Sequence, residues 1–417
     1  MVSTIWRGPE LAGKSGWFLP DDLWRTLIAA QRLLHADLSG LYTRPTALVS
    51  LPGAAVILVP VVALIGAAGF SLRVPAAHHS HPFAWLLAGP YEIALSAVAL
   101  FAADAIAERL GAGRPKRALL AAASAVALWS VSVKWGHPED AVAVGLLLYG
   151  ILALSESRPE RAAWLIGAAV AVQPLVLLTL PIVLMVIEQR RLVAFLARAA
   201  TPAAVLLAAA ASANWKATMT AVTSQPNWPT VDHQTVWTPF ATHLADGAVA
   251  GGPARAFAIV VASGCALVVG RRWRATRTVA EWSPDDLREL LWWAAVALAL
   301  RSVFETVMVA YYLWPALALA LVAASRSWSR LAATSIAAIT VTFASQVPWQ
   351  SPWSWWVPMI GGLTLTLFLA RVPLRKGPTA QYALAAAGEP SQTMVAAPSG
   401  CRDSDAAPPA APSAFRR

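Results

Sequence analysis

Long apolar stretches separated by short polar or basic ones run through most of the chain. Runs at 84–108, 117–134, 141–156, 200–213, 254–271, 287–303, 305–324, 331–347 and 356–371 approach or reach the length at which a helix crosses about 30 Å of hydrocarbon. Two further runs are interrupted. The run 162–187 holds Gln173-Pro174 and then Pro181, and reads as a broken hairpin that enters and leaves on one side. The run 48–70 holds Pro52, Gly53 and Pro60, residues that interrupt a helix interior. It reads as a Pro-bearing membrane helix resting on the outer face, or alternatively as a crossing that leaves residues 1–47 in the cytoplasm. The pattern predicts an all-α polytopic integral membrane protein of about ten spans, including the re-entrant-like hairpin. It divides into an amino-terminal outer-face segment (1–83), an integral helical domain (84–371) and a disordered cytoplasmic tail (372–417) rich in Ala, Pro and Ser.

Composition sharpens this picture. Of 417 residues, 58% are hydrophobic and 13% charged, about half the charged share of a soluble domain, and the mean hydropathy is +0.57. Those values exclude a disordered chain and a nucleic-acid-binding module, and argue against a soluble enzyme. The net charge of +10 then reports basic loops. Arg and Lys crowd the loops at 109–117, 158–161, 190–198, 271–288, 326–330 and 371–376, whereas the alternating loops carry Arg73, Lys134, Lys216 and Arg301, with Arg255 at a boundary. The first set is cytoplasmic by the positive-inside rule, so the loops around 135–140, 214–253 and 348–355 face outward from the cytoplasmic (inner) membrane. Many of the 20 Trp sit where apolar runs end, as in interfacial belts. Residues 1–47 contain neither a spanning segment nor an apolar signal core. An outer location for them predicts a further membrane helix upstream of Met1.

Ionisable side chains at the outer ends of spans are costly if they face lipid, and four groups stand out. Lys134-Trp135-Gly136-His137-Pro138-Glu139-Asp140 packs His, Glu and Asp into a tight turn, which suits acid/base or phosphate chemistry. The alternative is that Glu139 and Asp140 simply cap the next helix. Asp21 and Asp22, between Trp17 and Trp24, are either caps of a helix starting near Leu23 or a base facing an acceptor hydroxyl. The outer loop carries Gln225, Asn227 and Trp228, then Asp232-His233-Gln234 and Trp237, offering the stacking faces and amide edges that sugars need. Arg301 and Glu305, one helical turn apart, can pair with each other, or Arg301 can clamp a phosphate; Tyr311, Tyr312 and Trp314 follow. Gln173 caps the broken hairpin. Asp104 and Glu92 lie within the first span, with Asp104 close enough to pair with Arg109. Two cysteines allow no disulfide framework. The spacing suits no dedicated metal site, so no metal and no cofactor is expected.

In this order the residues resemble the C-type membrane glycosyltransferases that use polyprenyl-phosphate sugar donors, nearest to actinobacterial mannosyl- and arabinofuranosyltransferases. The resemblance covers about residues 17–371. It rests on Asp37-Leu38-Ser39-Gly40-Leu41-Tyr42 with Leu48–Pro60, on Trp135–Asp140, on Asp232-His233-Gln234-Thr235, and on Val303-Phe304-Glu305. At the last, relatives carry His-Glu-Lys, where this chain has Phe304 and Thr306 beside the Glu. The resemblance implies transfer of a sugar from a polyprenyl-phosphate donor to a glycolipid or glycan of the cell envelope, with membrane lipid as a partner. It implies Asp22 or Asp21 as general base, assisted by His137, Glu139 and Asp140, with Lys134, Arg301 and Glu305 at the donor and Asp232, His233, Gln234 and Trp237 lining the substrate. The competing expectation is a transporter or flippase for a lipid-linked or small polar solute, since broken helices serve transporters equally well.

Overall fold

The computed structural model describes residues 20–43, 47–72, 83–223, 226–244, 247–276, 282–347 and 352–371. The expectations for Trp17, for Gln225 and for the 372–417 tail fall outside the described residues. What is described is predominantly α-helical, and six helices are long and apolar enough to cross a membrane.

The chain opens with an amphipathic helix α1 (Asp21–Leu34), whose Leu23, Leu27 and Ala30 are buried. Two short helices follow, α2 (Pro52–Val56) and α3 (Val59–Ala67), with Pro52 and Pro60 each in a first turn, where the missing N–H costs nothing. The 48–70 run is therefore two short pieces, too short singly to span. Next come α4 (Trp85–Arg109), α5 (Arg114–Trp129), a π-helical turn (Ser130–Trp135) and α6 (Pro138–Ser155). The hairpin breaks where its Gln-Pro pair stands. α7 (Pro159–Val172) stops at Gln173 in an extended conformation, and the chain continues as a 3-10 turn (Pro174–Thr179) and α8 (Leu180–Leu184).

The predicted span 200–213 is longer than its apolar run. α9 (Leu192–Ala213) carries Arg198 and an internal Pro202. After α10 (Trp215–Thr223) the loop contributes two-residue strands β1 (Pro226–Asn227), β2 (His233–Gln234) and β3 (Val249–Ala250). α11 (Gly252–Thr276) and α12 (Pro284–Phe304) follow, the latter started by a reciprocal Ser283–Asp286 capping box. The expected span 305–324 corrects to a shorter helix. Residues 305–309 are extended, Val307–Met308 forms β4, and α13 (Trp314–Ala324) begins only after a 3-10 turn at 310–313. α14 (Trp328–Ala344) and α15 (Pro352–Ala370) complete the chain. About ten crossings were expected; among the described residues six helices meet the length and hydropathy, and the others are shortened, broken or more polar.

Every residue of α13 is buried, which makes this helix, apolar on all sides, the centre of the main core. A second core lies beneath α1 and joins Leu23, Leu27, Leu41, Leu58, Val62 and Trp85. The two ends of the bundle differ in chemistry. At the basic end Lys116 Nζ donates to the Arg326 carbonyl, Arg326 pairs with Asp285, and Arg330 donates to the Arg371 carbonyl. Asp104 pairs there with Arg117 at 2.5 Å, in place of the Arg109 suggested by the sequence; Arg117 starts the second turn of the following helix and so reaches back. At the opposite end Trp353 Nε1 donates to Thr235, Trp356 Nε1 to Ser302 and Gln173 Nε2 to Asp140.

Candidate functional site

The site grows from the turn between α5 and α6. The π-helical turn widens the end of α5, and Gly136 reverses the chain at φ 67°, a conformation that favours glycine. A Cβ there would lie 2.8 Å from Pro20 Cγ and 3.0 Å from Leu23 Cβ, so the start of α1 packs directly on the turn. Pro138 then begins α6 and sets Glu139 and Asp140 in its first turn, where the helix dipole favours carboxylates. Neither is spent on capping. Glu139 Oε1 lies 2.7 Å from His137 Nδ1, and Asp140 Oδ1 accepts from Gln173 Nε2 at 2.5 Å. Across the α1 contact, His137 Nε2 stands 3.3 Å from Asp22 Oδ2. That contact is an ion pair rather than an aligned hydrogen bond.

His137 is therefore a buried imidazole held between two carboxylates. Burial alone would lower its pKa, but Glu139 and Asp22 outweigh that and hold it well above the usual histidine value. Asp22 shows the converse. Burial works to raise it, yet the close imidazole of His137, with Arg25, keeps it below the ordinary aspartate value. Both shifts favour the charged form of the pair. Asp22 is the member that reaches water, with 40% of its side chain exposed.

An aromatic and cationic wall completes the site. α12 ends at Phe304 because Glu305 turns extended, and β4 pairs antiparallel with β2, His233 opposite Met308 and Gln234 opposite Val307. This places Tyr311 on the His137 ring at 4.0 Å. Tyr312 meets Tyr311 edge-on at 4.8 Å, and the Arg301 guanidinium lies over Tyr312 at 3.7 Å, a cation–π contact. Glu305 Oε2 accepts from Arg255 Nε at 3.0 Å and pairs with Arg301 Nε at 3.5 Å.

Asp22, His137, Glu139, Asp140, Arg301 and Glu305 thus form one connected network, which Asp232 faces from the outer loop. Burial, then the charge of Asp22, pushes Asp232 up to about 6 against the opposing pull of His137. The other candidates do different things. Asp21 is exposed and pairs with Arg25 at 2.7 Å. Lys134 Nζ is 6.0 Å from the Trp135 ring. His233 stacks flat on Trp355 at 4.1 Å, and burial lowers its pKa. Gln234 Nε2 donates to the Pro229 carbonyl at 3.4 Å, and Trp237 Nε1 donates to the Val303 carbonyl at 2.6 Å. These last three brace the loop.

Two further residues that adjoin the network had no site role in the sequence reading. Glu92 is buried on α4 and interacts electrostatically with Glu139; a carboxylate inside an apolar run was its signal. Arg255 had only its place at the start of a span. Among the described residues no group of three His, Cys, Asp or Glu is arranged to hold a metal ion. No family model and no curated protein matches this chain.

Proposed function

We propose that this chain is a membrane glycosyltransferase with a C-type-like helical arrangement. It moves a sugar from a polyprenyl-phosphate donor to a glycolipid or glycan acceptor on the outer face of the cytoplasmic membrane. The observation that supports this reading most is the meeting of Asp22, His137 and Arg301 in one network at the end opposite the basic loops. The acceptor hydroxyl gives its proton to the Asp22 carboxylate as its oxygen attacks the anomeric carbon. The bond from that carbon to the donor phosphate oxygen breaks, and the lipid phosphate leaves with the electron pair. His137, charged between Asp22 and Glu139, keeps Asp22 ionised and oriented. Arg301 Nη1, buried and without a hydrogen-bond partner among the described residues, offers a donor to the departing phosphate.

The test is transfer in membranes from radiolabelled polyprenyl-phosphate sugars. Asp22→Asn should lower turnover by about 10²- to 10⁴-fold at unchanged membrane insertion, and Asp21→Asn should leave it near wild type. Full activity in Asp22→Asn removes the base from the mechanism. Solute movement into proteoliposomes without any sugar transfer would instead favour the transporter reading.

A further inference from the structure

Cations from separate segments meet at the basic end of the bundle. Lys116 stands in the first turn of α5, Arg288 in the second turn of α12, Arg326 just past the end of α13 and Arg330 in the first turn of α14. Hydrogen bonds hold them close. Lys116 Nζ donates to the Arg326 carbonyl at 2.6 Å, Arg288 Nε to the Ala323 carbonyl at 3.3 Å and Arg330 Nη1 to the Arg371 carbonyl at 2.6 Å. Arg288 is more than nine-tenths buried and feels the charges of both Arg326 and Arg330. Asp285 lies among them, 2.8 Å from Arg326 Nη1 and 3.3 Å from Arg288 Nη1. Lys116 and Arg330 form no ion pair among the described residues.

Local chemistry does not account for this gathering. Lys116 and Arg330 occupy first turns, where the helix dipole disfavours a cation. Each bonds a backbone carbonyl, a task that a neutral amide would serve as well; the carbonyl accepts a hydrogen bond and leaves the charge unbalanced. Like charges held this close repel, so the cluster favours an anion. Two features say which anion. α5, with its π-helical turn, and α15 are both long and apolar enough to cross a membrane, so Lys116 and the Arg371 carbonyl mark the level at which these helices leave hydrocarbon. Trp328, between Arg326 and Arg330, is 51% exposed, as an aromatic side chain at headgroup depth is. The anion abundant at that level is lipid phosphate, which ammonium and guanidinium groups bind. A zwitterionic lipid brings its own cation, so an acidic lipid is favoured. We infer that Lys116, Arg326 and Arg330, backed by the buried Arg288, form a binding site for the headgroup phosphate of an acidic phospholipid in the cytoplasmic leaflet. The site is independent of the glycosyltransferase reading, since it lies at the other end of the bundle.

The experiment uses the full-length protein in detergent. Native mass spectrometry counts bound molecules during titration with phosphatidylglycerol, phosphatidylcholine or glycerol phosphate. Phosphatidylglycerol should bind in preference to phosphatidylcholine, and more weakly as salt rises. The double variant Lys116→Gln, Arg330→Gln keeps a donor for each carbonyl and removes both charges. At about fivefold for each lost cation, its affinity for phosphatidylglycerol should fall by about twentyfold to thirtyfold. A second double variant, Arg190→Gln, Arg191→Gln, removes two charges from a basic turn outside the cluster, where both pair with Glu188, and should bind as the wild type does. An equal loss in both double variants, or no loss in the first, overturns the site, because the lipid would then answer to overall charge alone. Lys116→Arg keeps the charge and should bind like the wild type even if the double variant fails to fold. A loss in Lys116→Arg equal to that in Lys116→Gln overturns the role given to charge. Glycerol phosphate that binds as tightly as the lipid, with the same dependence on Lys116, overturns the lipid as partner.

Discussion

Replacing Asp232 by Asn should stabilise the folded protein above about pH 6 and leave it nearly unchanged at about pH 4. Asp232 sits on the outer loop facing Asp22, and burial with that charge lifts its pKa from 3.8 to about 6. A carboxyl raised by folding contributes stability that is fully present below its unfolded pKa and is lost as pH rises through the folded value. The wild type therefore gives up stability between the two values, and the amide removes that loss. At about 1.4 kcal/mol per unit the ceiling is about 3 kcal/mol. Asp232 is partly exposed, so solvent screening reduces the expected gain to about 1–2 kcal/mol. The assay is thermal unfolding of both proteins in one detergent across that pH range, read by Trp fluorescence. The difference between them should open across the window and stay constant above it. An equal difference at both ends of the range, or a destabilised variant at high pH, would refute the reasoning, because folding would then not disfavour the Asp232 carboxylate.

Two further substitutions probe the scaffold. Gly136→Ala forces a side chain into a left-handed conformation at a cost of about 1–3 kcal/mol, and its methyl meets Pro20 and Leu23. It should lower thermal stability and, by pushing α1 off the turn, reduce turnover more than it raises KM; unchanged turnover would mean that the Asp22–His137 contact does not matter to the reaction. Glu305→Leu leaves Arg255 and Arg301 side by side without their shared carboxylate and should cost about 3–5 kcal/mol. Glu305→Gln keeps a hydrogen-bond acceptor and should cost less, which unfolding in detergent will show.

The hydrophobic pattern alone determined the helical membrane character, the break at Gln173-Pro174 and the polar turn at 135–140, because helix length, proline geometry and the cost of charge in hydrocarbon are local properties of the chain. It misjudged where helices begin. Arg198 lies well inside α9, where it pairs with Glu160 at the start of α7 at 3.2 Å, and the run at 305–324 starts extended because Val307–Met308 pairs with a strand about seventy residues away. Only the tertiary structure decided which polar residues meet. Asp21 and Asp22 are neighbours in sequence, but on a helix they point about 100° apart, so one pairs with Arg25 in water and the other with His137. Glu92 and Arg255 are invisible as site residues until α4 and α11 bring them beside Glu139 and Glu305. The partner of a buried charge is set by packing between distant segments, and no periodicity along the chain encodes it.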